Sequence, residues 1–166
     1  MAYRIEPGDG PATTIGGVFT VLHKVDGERT QGLVAVADHV LLPRQLGSPR
    51  HTHRREHEIS YVLEGTLGAE IGGEILEAEP GTTVLKPKDV PHAFWNPGDV
   101  ELRFVEVFAP AGFEHYFEEL APLIPEGGRP PTEIGALSKL YERFELDMDL
   151  ASIPELIQRH GLAIPA

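Results

Sequence analysis

The stretch Pro49-Arg50-His51-Thr52-His53-Arg54-Arg55-Glu56-His57-Glu58-Ile59-Ser60-Tyr61-Val62-Leu63-Glu64-Gly65 decides how this chain is read. Histidine recurs within it at His51, His53 and His57, although the whole chain has only 8 histidines. In an extended strand, residues two apart point to the same side, so His51 and His53 project together into one face. Glu58 follows His53 at an odd separation. It returns to that face only if Arg54 to His57 form a bulge or turn that shifts the alternation. His92, just after Pro91, would supply a further imidazole from elsewhere in the chain. Imidazoles joined by one carboxylate suit a divalent first-row metal ion and leave positions open for water or substrate. Glu56 is the alternative carboxylate, and His57 is read as a solvent-facing or supporting residue.

Outward from this stretch, the chain is punctuated as short strands. Residues 18–22 and 33–42 are β-branched or apolar, with Asp26-Gly27 as a turn between them. A hairpin is expected from 66–71 and 74–78 about Gly72-Gly73, followed by strands at 82–85, 93–95 and 101–108. No helical pattern intervenes before residue 112, which favours a barrel or jelly roll over a parallel α/β sheet. The character then changes. Phe113, Tyr116, Phe117 and Leu120 share one helical face, and a second helix is expected from Thr132 as its cap to about Phe144. A third is expected from the capping box Ser152-x-x-Glu155, with Pro154 in its first turn and Gly161 at its stop. These helices are expected to pack on the barrel or across a dimer. The whole is read as one domain over 1–166, with a barrel at about 15–110 and a helical segment at about 112–162.

Composition excludes several function classes. The chain has 166 residues, 41% of them hydrophobic and 24% charged, enough for a core without extended disorder. A net charge of −12 repels nucleic acid and anionic membrane surfaces, and no basic run offsets it. Cysteine is absent, so disulfides and thiolate metal ligands are too. No apolar run approaches the roughly 20 residues of a membrane span, and the first residues lack a secretory pattern. A cytoplasmic location and no membrane partner are therefore expected.

The motifs resemble those of the cupin family. His51, His53, Glu58 and Gly65 match HxHxxxxExxxxxxG; Gly81, Pro87, His92 and Asn96 match GxxxxxPxGxxHxxxN, with Asp89 where that motif carries its internal glycine. The opening glycine of the first motif is displaced, as Gly47. The resemblance implies an all-β, cupin-type jelly-roll β-barrel with C-terminal helices. It also implies one divalent transition metal ion (Fe, Mn, Ni, Co, Cu or Zn) on His51, His53, Glu58 and His92. The first motif and chain length are further similar to those of bacterial quercetin 2,3-dioxygenase-like single-domain cupins. That similarity implies a dioxygenase acting on a flavonol- or diketone-like small molecule, with Glu58 taking the substrate proton. A redox-neutral isomerase, cyclase or lyase and a small-molecule binding module remain open, and a homodimer is expected. Strand alternation places Ser60, Val62 and Phe94 in the pocket beside the ligands, with Trp95 pointing away from it. His39 shares its strand face with Ala35, Ala37 and Leu41 and is a further pocket candidate.

Overall fold

The computed structural model describes residues 3–126 and 133–163. The strands are β1 (Ala12–Ile15), β2 (Phe19–Val25), β3 (Ala35–Leu41), β4 (Leu46–His53), β5 (His57–Glu64), β6 (Leu67–Ile71), β7 (Glu74–Ala78), β8 (Thr83–Lys86), β9 (His92–Trp95) and β10 (Leu102–Ala109). After them come α1 (Glu114–Leu120), α2 (Ile134–Arg143), β11 (Leu146–Asp149) and α3 (Ile153–His160). The strands form two antiparallel sheets, ordered β1-β2-β3-β10-β5-β8 and β11-β4-β9-β6-β7. This is the expected jelly-roll architecture with short helices at its C-terminal end.

Alternation along the strands builds the interior. On β10, Leu102, Phe104, Glu106 and Phe108 are buried while Arg103, Val105 and Val107 stay half-buried on the outer face. On β5, Glu58, Ser60 and Val62 point inward in the same way. One apolar cluster joins Val21, Leu41, Val62, Leu67, Phe94, Phe104 and Phe108 from both sheets. Each such side chain contributes ~1.5–3 kcal/mol on burial.

Two strand positions admit only glycine. A Cβ on Gly47 would lie 2.0 Å from Phe94 Cε2, and one on Gly68 would lie 2.2 Å from Trp95 Nε1. Gly47 therefore makes room for an interior ring, and Gly68 for the indole on the outer face. Asn96, fully buried, donates from Nδ2 to the carbonyls of Leu41, Leu42 and Val100 and accepts from Gly98 N, fixing the end of β9.

The C-terminal segment closes over this barrel. Phe113, Tyr116 and Phe117 of the α1 region are buried against the interior, with Leu140 and Phe144 of the α2 region packed behind them. The segment expected to be purely helical also contributes β11. It pairs antiparallel with β4, placing Leu146 opposite His53 and Met148 opposite His51. Its four residues alternate Leu-Asp-Met-Asp, too few to separate from a loop by pattern alone.

α3 begins and stops where expected, with Pro154 in its first turn and Gly161 at φ 61° as its cap. Its capping box does not form. Ser152 has helical backbone angles and makes no side-chain cap, because its Oγ donates to Asp149 O and accepts from Arg50 N. Glu155 instead accepts both Arg50 Nη atoms. The expected cap of α2, Thr132, lies outside the described residues.

Candidate metal centre

β4 ends at His53 and β5 begins at His57, so the charged segment between them is a turn from the five-stranded to the six-stranded sheet. That turn resolves the odd spacing. Glu58 enters from the opposite sheet to face the two histidines. β9, which pairs with β4 and places His92 opposite His51, brings the third imidazole. His51, His53, Glu58 and His92 are all buried, and one ligand atom from each lies within 4.8 Å of the others.

The hydrogen bonds around the rings fix which nitrogens face the centre. His51 Nδ1 lies 2.9 Å from Pro49 O, and His92 Nδ1 lies 3.1 Å from Val90 O. A carbonyl only accepts, so both Nδ1 atoms carry a proton and Nε2 is the nitrogen of each ring left to face the centre. His92 Nε2 is 3.0 Å from Glu58 Oε2. An imidazole nitrogen and a carboxylate oxygen at that distance are bridged by a proton or a cation. His53 is fully buried and neither ring nitrogen has a hydrogen-bond partner among the described residues, with Nε2 3.5 Å from Glu58 Oε1. On its far side, Glu56 Oε2 lies 3.5 Å from Nδ1. Glu56 thus lies behind His53, outside the cluster of four. It stands where a carboxylate orients a ligating imidazole.

Charge favours the same occupant. Burial, together with the neighbouring His92 and His53, holds the His51 pKa well below the usual histidine range, leaving it in its neutral, ligating form. Burial alone would raise the Glu58 pKa. Lys86, His53 and His92 outweigh it and hold the carboxyl well below the ordinary range. A set of imidazole nitrogens and one carboxylate suits a divalent transition metal, and the orphaned His53 nitrogens and the His92–Glu58 contact fit one. This buried cluster is typical of a cupin metal site.

Lys86 and Glu106 escaped the sequence analysis, although the alternation that located Ser60 would also turn them inward. Both are almost wholly buried. Lys86 Nζ lies 2.6 Å from Glu106 Oε2 and 3.2 Å from Glu58 Oε2, bridging the ligand to a second carboxylate. Burial lowers the Lys86 pKa, but Glu106 and Glu58 reverse the direction and keep it charged.

Of the pocket candidates, Ser60 and Val62 are fully buried, Ser60 donating to Glu106, and Phe94 lies in the interior core. His39 is buried among Phe19, Phe104, Phe108 and Phe117, with ring centroids 4.9–6.1 Å away and no hydrogen-bond partner among the described residues. Trp95 faces outward, stacked on His160 at 3.8 Å and packed with Leu156 beneath α3. His57 is exposed and accepts from Lys88 N. Asp89 adopts φ 63° in the glycine position of the second motif, its N–H donating to His53 O and its carboxylate accepting from Arg54. The substitution therefore keeps the loop geometry behind a ligand.

Comparison with known proteins agrees with this geometry. The cupin domain model matches residues 38–108. The chain is 30% identical over 140 residues to polyketide synthase CurC of Streptomyces cyaneus, spanning 84% of this chain and 82% of CurC. It is 34% identical over 90 residues to protein SchB of Streptomyces halstedii, 54% of this chain and 63% of SchB. The structure of the polyketide cyclase RemF from Streptomyces resistomycificus superposes with a TM-score of 0.56 at 28% identity, covering 66% of this chain and 80% of RemF. KdgF from Halomonas sp. shares the fold, with a TM-score of 0.59 at 15% identity over 67% of this chain and 97% of that one. The chain carries a cupin domain.

Proposed function

We propose that this chain is a metal-dependent cyclase that enolises a polyketide-type polycarbonyl compound and closes a ring on it, without consuming O2. The observation that carries the reading is a buried set of three imidazoles and one carboxylate, set beside a buried cluster of phenyl rings in a chain similar to polyketide synthase and cyclase proteins. A divalent cation held by His51, His53, Glu58 and His92 would act as a Lewis acid toward a hydroxy-ketone or diketone oxygen pair. The chain's own residues supply the rest. Lys86 keeps Glu58 charged, the buried phenyl rings keep water from the centre, and the imidazole of His39, without a hydrogen-bond partner among the described residues, offers a polar group at the aromatic end. Ring closure removes a proton from carbon, forms a C–C bond at a ketone carbon, and releases that ketone's oxygen as water on aromatisation.

The experiment is turnover of an aryl triketone by zinc-loaded protein under nitrogen, followed as appearance of the aromatic product. Product formation that stops when the metal is stripped supports the cyclase. Oxygen cleavage of a flavonol, the activity implied by the motif resemblance, is the second reading, because the same donor set suits redox-active metals. Oxygen uptake with a flavonol by iron- or nickel-loaded protein, with no triketone turnover, would replace the first reading by the second. Tight binding with no turnover would mark a binding module.

The whole chain is taken to work as one domain, in a homodimer. The outer face of the six-stranded sheet supports this, since Ile59, Tyr61, Leu85, Val105 and Val107 adjoin there, with Tyr61 45% and Leu85 55% exposed. β8 is also an edge strand of that sheet. Leu85→Glu should convert a dimer to a monomer in sedimentation, and a wild-type monomer would reject the assignment.

A further inference from the structure

Once a metal is assigned to the four ligands, one polar atom of the barrel interior beside them still lacks a role. Glu106 is 1% exposed, and its Oε2 accepts from Ser60 Oγ at 2.9 Å and from Lys86 Nζ at 2.6 Å. Its Oε1 is buried with no hydrogen-bond partner among the described residues. Two donors on one oxygen fix the carboxylate and leave the other oxygen free. Across the sheet from Glu106 stand Ser60 on β5 and Ala37 on β3, and Glu58 lies one inward-facing position along β5 from Ser60. Ala35 and Ala37 on β3 are small inward-facing side chains, as is Ala69 in the other sheet. Glu58, by contrast, has both oxygens engaged, Oε1 facing His53 and Oε2 facing His92 and Lys86. A residue that is both ligand and ion-pair partner has no oxygen left for substrate.

We propose that Glu106 is the catalytic proton-transfer residue, its free Oε1 taking the proton from a substrate carbon next to a carbonyl and returning it to a substrate oxygen. The C–H bond breaks, its electron pair remains in the substrate as the enolate, and the new O–H bond forms on Glu106. Protonation of a substrate oxygen then restores the carboxylate, so no co-reactant is needed. Burial, with Glu58 adding to it and Lys86 and Ser60 opposing it, raises the Glu106 pKa to about 7, where a carboxyl group both accepts and donates protons near neutrality. The proposal rests on the enolising function inferred above, and it moves the proton-transfer role implied for Glu58 to a neighbouring strand.

The test uses zinc-loaded full-length protein and 2′-hydroxyacetophenone, a probe with one hydroxyl–carbonyl pair and exchangeable methyl hydrogens. Zinc content, probe binding by absorbance, and methyl deuteration in D2O by NMR are measured for wild type, Glu106→Gln and Glu106→Asp. Glu106→Gln should keep its zinc and bind the probe within about twofold of wild type, while exchange falls ~100-fold or more. Glu106→Asp, which keeps an acid but withdraws it, should fall between them and covers the case in which the Gln variant does not fold. Exchange by Glu106→Gln or Glu106→Asp as fast as wild type overturns the role of Glu106 alone. Probe binding by wild type without exchange above a free-zinc control also overturns it. Failure of zinc-loaded wild type to bind the probe overturns the enolising function and Glu106 with it.

Discussion

Replacing Lys86 by methionine should cost far more than an exposed lysine would. The ammonium is buried between two carboxylates, 2.6 Å from Glu106 and 3.2 Å from Glu58. Removing one partner of a buried ionic cluster typically costs ~3–5 kcal/mol, because the remaining charges stay desolvated and uncompensated. For a chain of this size that is a loss of about 6–20 °C in melting temperature. The sign of its pH dependence follows from Glu106. The Glu106 pKa is already raised to about 7 by burial, and loss of Lys86 removes the main influence holding it down. The folded protein then binds more protons than the unfolded chain above about pH 4.5, so stability falls as pH rises through that window. Lys86→Met should therefore lose less at about pH 5 than at about pH 8 relative to wild type. Adding Glu106→Gln should recover about half or more of the loss at the higher pH, since one buried charge disappears. Urea denaturation of metal-free wild type, single and double variants at both pH values gives the energies. A single-variant loss under about 1 kcal/mol, or equal losses at both pH values, would refute the reasoning.

Three further predictions concern neighbouring features. Burial, with Lys86 and His23 adding to it and Glu58 opposing it, lowers the His39 pKa to about 3. Its neutral burial therefore stabilises the fold fully above about pH 6.5, and this is lost as pH falls towards about 3, at ~1.4 kcal/mol per unit. His39→Leu should flatten the stability profile between about pH 7 and pH 5, and parallel slopes for variant and wild type would contradict this. Gly68→Ala pushes a Cβ to 2.2 Å from Trp95 Nε1 and should destabilise by ~1–3 kcal/mol in thermal melts; an unchanged midpoint would count against the close approach. Glu56→Gln should weaken metal binding by ~10–100-fold in chelator competition while leaving four ligands in place, and unaltered affinity would remove Glu56 from behind His53.

Of the buried cluster, His51, His53 and Glu58 were legible in sequence because short-range spacing carries them, whereas His92 was located through the second motif around it. His51 and His53 share a strand face, and the odd step to Glu58 requires the turn that the 54–56 segment makes. The hairpin at Gly72-Gly73 was legible for a similar reason, both glycines having positive φ, at 58° and 88°. Lys86 and Glu106 stayed hidden because a lone charged residue in a short strand reads as solvent-facing, whereas pairing with β5 sets Lys86 opposite Glu58 and Glu106 opposite Ser60, both inward-facing. The capping box failed for the opposite reason. Ser152 and Glu155 carry the right spacing, but Arg50 from β4 recruits both, a tertiary contact that local pattern cannot reveal.

Elemental analysis of protein purified without chelator tests whether His51, His53, Glu58 and His92 hold a divalent metal ion. Wild type should carry about one transition-metal ion per chain, while His53→Ala, still folded by circular dichroism, should carry almost none. Metal-free wild type that gains no thermal stability from added zinc, iron or nickel, or full occupancy in His53→Ala, would contradict the account.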